Sequence, residues 1–166
     1  MASWLFKEEP SCYSFDQLEQ DGKTVWSGVV NNLARQNLRQ IGKGDRVLFY
    51  ATGNVKSVVG EMVVIEGPRP DPTSEDEKSV VVTVKPVRRL QSPVSLENIK
   101  RDPQLSDWQL VTFSRLSVMP VNEVQWQRIE QMSQGLEAPQ LTRRTSPPKS
   151  PRPARKNKDS QARKSK

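Results

Sequence analysis

Three runs rich in β-branched and aromatic residues, RVLFYAT (46–52), SVVGEMVVIEG (57–67) and KSVVVTVKPV (78–87), fill the middle of the chain. Such residues fit a pleated, half-buried surface, so all three runs read as strands. Gly53-Asn54 separates the first two and predicts an antiparallel pair. Gly60, inside the second, predicts a bulge or a close backbone approach. Pro68, Pro70 and Pro72 are expected to break the sheet in an acidic loop, and the third run is expected to continue into Arg88 and Arg89.

The flanks add shorter elements. SWLFK (3–7) reads as a buried first strand closed by Pro10. Ser14, with Gln17 three residues on and Gly22 as a stop, predicts a short helix. A second helix is expected from Asn31 or Asn32 through Arg39, with Leu33, Leu38 and Ile41 on one face and Gly42 as its end. GKGD (42–45) is turn chemistry. SLENIKRDPQLSDW (95–108) holds one or two helical turns, and RLSVMPV, Arg115 to Val121, reads as the last strand. Asn122 then caps a helix with Gln125 at the third position, Val121 and Trp126 at staple positions, Ile129 on the apolar face and Gly135 as its stop. Strands of mixed length with helices inserted irregularly point to an α+β fold with a curved or barrel-like sheet.

One domain over residues 1–135 accounts for this pattern. The net charge of +7 belongs elsewhere: ten of the 26 Lys and Arg, against one of the 19 acids, fall between Ala138 and Lys166. A segment so poor in apolar residues cannot offset its ordering entropy, so 136–166 is expected to be a disordered tail. Spaced cations release counterions from nucleic acid without a defined fold, which makes Arg143, Arg144, Lys149, Arg152, Arg155 and Lys156 candidate phosphate contacts. A solubilising terminus is the alternative. No segment approaches the roughly 18 to 20 apolar residues of a membrane span, and the single Cys12 excludes an internal disulfide. The expectation is a soluble intracellular monomer, cytoplasmic in a bacterium and nuclear in a eukaryote.

Much chemistry is absent. The chain has no histidine, so the usual zinc sites and Ser-His or Cys-His nucleophile systems are unavailable. It has neither a GxxxxGK[ST] nor a GxGxxG loop. The expectation is therefore a binding module and not an enzyme, with no metal and no cofactor. What remains is aromatics and amides near turns: Trp4, Trp26, Asn31, Phe49 and Tyr50. A planar base stacks on Trp or Tyr for roughly 1 to 3 kcal/mol, and an amide reads its edge. Equally, Trp4, Phe49 and Trp126 fit a core, Trp26 fits a core plug before a turn, and Asn31 fits a helix cap.

WLFKEEPSCYSFDQL, TVWSGVVNNLARQNLRQIGKGDRVLFYAT, VVGEMVV and RLSVMPV, in this order from about Ala2 to Gln131, together resemble an EVE domain, the PUA-like fold of the thymocyte nuclear protein family. Against the family pattern W-D-G-V-R-N-Y-Q-A-R-N, residues Trp26, Gly28, Val29, Asn31, Ala34 and Arg35 match, while Ser27, Val30, Asn32, Leu33 and Gln36 depart. Ala51 stands where the family tends to histidine.

The resemblance implies a PUA-like incomplete β-barrel with helices packed around it and a concave pocket. By the same likeness Trp26, Ser27, Gly28, Val29 and Asn31 form the pocket wall, with Tyr50 and Thr52 opposite, and Lys7, Arg35 and Arg115 at a rim or on phosphates. The implied activity is recognition of a modified base flipped from nucleic acid, foremost a modified cytosine in DNA. A reader or accessory of modified RNA, and a protein- or metabolite-binding domain, are the alternatives.

Overall fold

The computed structural model describes residues 2–29 and 31–135. The expected basic tail at 136–166 lies outside the described residues. Six strands form one mixed sheet: β1 (Ser3–Glu8), β2 (Thr24–Trp26), β3 (Arg46–Ala51), β4 (Ser57–Pro70), β5 (Val80–Ser95) and β6 (Val118–Pro120), ordered β2-β5-β4-β3-β1-β6. β1 runs parallel to β3, and every other pair is antiparallel. The sheet curls into a half-barrel. Five helices accompany it: α1 (Phe15–Asp21), α2 (Asn32–Arg39), α3 (Leu96–Arg101), α4 (Gln109–Thr112) and α5 (Glu123–Ser133). The α+β incomplete barrel expected from the sequence is the observed architecture.

Strand alternation sends Phe6 and Phe49 to the inner face, where Trp26 meets both. Its ring lies 5.0 Å from Phe6 and 5.6 Å, edge-on, from Phe49. Trp4 is a core residue whose indole N–H donates to Asp45 at 3.0 Å. Asp45 also accepts from the backbone N–H groups of Ala2 (3.1 Å) and Gly42 (2.9 Å). One buried carboxylate thus fastens the GKGD turn to the first strand.

Helix ends follow the capping residues. Ser14, Asn31, Ser95 and Asn122 each accept a backbone N–H three residues on, and Asn122 with Gln125 forms a complete capping box. Gly22, with φ of +80°, stops α1 as expected. α2 spans Asn32–Arg39 as expected, although Gln40 and not Gly42 is its C-cap. Gly60 fulfils both expectations: the β4–β5 register shifts between Val58 and Gly60, and a Cβ there would intrude on the Phe15 ring.

Two expectations need correction, and one strand was not foreseen. Pro68 and Pro70 do not break the sheet, because β4 continues through both, paired to β5. The β3 ladder ends at the Arg46–Val63 pair, so beyond it that side of β4 carries no strand among the described residues, and a missing N–H there forfeits no ladder bond. The last strand is only Val118–Pro120, which leaves Arg115 exposed in the preceding turn. The strand not foreseen is Thr24–Trp26, its Trp26 opposite Val82 of β5.

An ion pair docks the last helix. Arg128, on α5, donates from Nε (2.7 Å) and Nη2 (2.6 Å) to Asp102 Oδ2 at the end of α3. Their side chains are only 6% and 4% exposed.

Candidate functional site

The stretch from Trp26 to Asn31 is shaped by four local devices. Trp26, 4% exposed, anchors the end of β2 in the aromatic core. Gly28 takes φ of +77°, a left-handed turn that glycine adopts without strain. The Val29 carbonyl accepts from Arg35 Nε at 2.9 Å. Asn31 Oδ1 accepts the Ala34 N–H at 3.0 Å and so starts α2.

Beside this turn lies a depression of about 160 Å³, lined by Glu8, Tyr13, Thr24, Val25, Trp26 and Ser27. That is about five waters' share of liquid volume, a scale suited to one small ring. What little of Trp26 is exposed lies here. Val25, 47% exposed, offers an apolar lip, and Ser27 is exposed beside it. The Tyr13 hydroxyl donates to Asp21 at 2.7 Å, and burial pushes its pKa up. Glu8 brings a carboxyl whose pKa burial also pushes up.

The expected site residues divide accordingly. Trp26 and Ser27 line the depression, whereas Gly28, Val29 and Asn31 form the adjoining turn, with the Asn31 oxygen occupied as a cap. Tyr50 is not opposite Trp26. It is in register with Lys7, and alternation sends both to the face away from Phe6 and Phe49. There Lys7 Nζ stands 5.8 Å from the Tyr50 ring and donates to the Ser114 carbonyl at 2.9 Å, while burial holds its pKa below the ordinary lysine value. Thr52 instead approaches Glu9, its hydroxyl 3.5 Å from the carboxylate.

Arg35 is buried and multiply engaged. Besides Val29 it reaches Asp76 at 2.9 Å and Ser79 at 3.3 Å, which ties the Trp26 turn to the 71–79 loop. Asp76 also accepts the Lys78 N–H, and that bond, with Arg35, holds its carboxyl below the usual range. Arg35 contributes to a second groove of about 370 Å³, whose exposed cations are Arg39 and Lys78. The tail cations Arg143, Arg144, Lys149, Arg152, Arg155 and Lys156 lie outside the described residues.

Sequence reasoning missed Glu8, Tyr13, Thr24 and Val25. Glu8 was within reach, since a residue two beyond inward-facing Phe6 on a strand shares its face. Tyr13 lies on no periodic element, and only tertiary folding brings it to Trp26.

Among the described residues no group of His, Cys, Asp and Glu is arranged to hold a metal ion, and no helix is long and apolar enough to cross a membrane.

The chain matches the EVE domain over residues 2–132. Mouse thymocyte nuclear protein 1 is 30% identical over 155 residues, which span 72% of this chain and 68% of the mouse protein. A crystal structure of an Agrobacterium tumefaciens protein is 35% identical, covering 92% of this chain and all of that one, with a TM-score of 0.78. Human THYN1, solved in complex with DNA containing 5-methylcytosine, shares the fold at a TM-score of 0.73 and 23% identity, covering 80% of this chain and 98% of that one. On the match across most of its length, and on the half-barrel that its strands build, the chain belongs to the EVE domain family.

Proposed function

We propose that this EVE domain is a non-catalytic nucleic-acid-binding module that takes a modified base, a modified cytosine in DNA, into the depression beside Trp26. The observation that carries this reading is the depression itself: a one-ring space at the end of an aromatic strand, with Val25 positioned as an apolar contact for a methyl group. The human relative solved with 5-methylcytosine DNA supports the choice of ligand. Flipping a base out of a duplex costs a few kcal/mol, and Trp26, 4% exposed, offers little surface on which to stack, so the depression alone binds weakly. Phosphate contacts supply the remainder. Arg39 and Lys78 offer two on the body, and the Lys and Arg of 136–166 offer more.

The test is binding of short duplexes carrying cytosine, 5-methylcytosine or 5-hydroxymethylcytosine, at two salt concentrations. Three proteins are compared: the full chain, Ser27→Phe, and a chain ending at Glu137. Ser27 is exposed, so a phenyl group there fills the depression without disturbing the core. The full chain is expected to prefer one modified base by about fourfold, as for roughly 0.8 kcal/mol from one buried methyl group. Ser27→Phe is expected to lose that preference and keep its salt-dependent background. Truncation is expected to keep the preference and flatten the log-log salt slope by about 4 to 5, as for roughly five phosphate contacts. Equal binding of all three duplexes by the full chain would sink the base-reading proposal, and an unchanged slope would sink the role of the tail. Matched RNA outcompeting DNA would move the reading to modified RNA.

A further inference from the structure

Glu8 is the one carboxylate lining the depression, and its acceptors are underused. Oε2 accepts the Glu9 N–H at 3.1 Å. Among the described residues no donor reaches Oε1, and no Lys or Arg lies within ion-pair distance of either oxygen. Lys7, next in the chain, is turned to the other face with Tyr50, and Glu9 adds a like charge. The Tyr13 hydroxyl, a candidate donor on the wall, is already given to Asp21. Partial burial therefore burdens this carboxylate, and among the described residues only the Glu9 N–H offsets it. A ligand that brings N–H donors would offset it further.

We propose that Glu8 is a specificity-determining residue that accepts from the exocyclic amino group of the bound base and so selects cytosine-type bases over thymine and uracil. The proposal rests on the depression being the base site. A carboxylate is a natural acceptor for the cytosine N4 amino group. Thymine presents a carbonyl at that position, which sets acceptor against acceptor in a partly desolvated site and leaves both unpaired. Adenine also carries an amino group, and Glu8 alone does not set it apart from cytosine. Hydrogen-bonding capacity thus favours cytosine over thymine and uracil.

5-Methylcytosine and thymine share ring and methyl group, and differ at position 4 and in the N3 proton. Single-stranded oligonucleotides identical except for one or the other therefore isolate the edge that Glu8 would read. The wild-type chain is expected to bind the 5-methylcytosine strand at least about tenfold more tightly. Glu8→Gln keeps the shape and adds an NH2 that can face a carbonyl. It is expected to compress the ratio to within about threefold, largely by gaining on thymine. Glu8→Ala is expected to lose affinity for 5-methylcytosine and gain none for thymine. Thermal midpoints near wild type show that both variants fold. If Glu8→Gln keeps the wild-type ratio, the assignment of Glu8 is overturned while the site stands. The assignment falls in the same way if wild type binds both strands equally yet Ser27→Phe weakens binding. If Ser27→Phe changes neither strand, the site reading fails and takes Glu8 with it.

Discussion

Trp26→Ala is expected to lower the stability of the domain by about 3 to 5 kcal/mol, the usual cost of removing a large buried aromatic. The indole is 4% exposed and holds two aromatic neighbours, Phe6 and Phe49, that would face the void. β2 has only three residues, so this side chain is most of what keeps it against the core. Urea denaturation followed by fluorescence or far-UV dichroism measures the loss. A change below about 1 kcal/mol would mean that the ring is not a structural anchor. Base preference is expected to disappear in the same variant, but a destabilised domain loses affinity for more than one reason. That is why the exposed Ser27, and not Trp26, carries the binding test.

Asp102→Ala is expected to be equally severe, at about 3 to 5 kcal/mol, because it strands the Arg128 guanidinium in a site that excludes water. Gln131, which accepts from Arg128 Nη1 at 2.6 Å, relieves little of this, being neutral. The double variant Asp102→Leu/Arg128→Met is expected to recover most of the loss, since two apolar groups leave no charge unpaired. A double variant no more stable than Asp102→Ala would show that packing, not an orphaned charge, sets the cost. The site is remote in sequence from the depression, so neither change should alter base preference in the folded fraction.

Sequence patterns reached the elements whose signals are local. The caps at Ser14, Asn31 and Asn122 are contacts within one turn, and the chain announces them at fixed spacing. Gly60 was legible because a glycine amid valines needs a reason, and Phe15 supplies it. The extension of β4 through Pro68 and Pro70 was not, since it depends on where a neighbouring strand stops. At the candidate site the motif around Trp26 drew attention to the turn beside which the depression lies. It could not say which face Tyr50 occupies until the parallel pairing of β1 with β3 fixed the register to Lys7. Arg35 reads as a free cation in the sequence and is a clamp in the structure, because its partners come from the 71–79 loop.

The order of the sheet carries a last consequence. β2 is one margin, and β1 lies one strand in from the other, yet Trp26 and Glu8 line the same depression. The depression therefore straddles the seam of an unclosed ring, where among the described residues no backbone ladder joins the two sides. Contact between side chains, Phe6 against Trp26, holds the margins together, and Asn37 of α2 adds a strut to β6 through the Val118 carbonyl at 2.8 Å. A ring gapped in this way sets the width of its mouth by its own curvature. On the proposed function, a ligand lodged there would act as a clasp, gripping both margins at once, and its size would have to match the bend of the whole sheet.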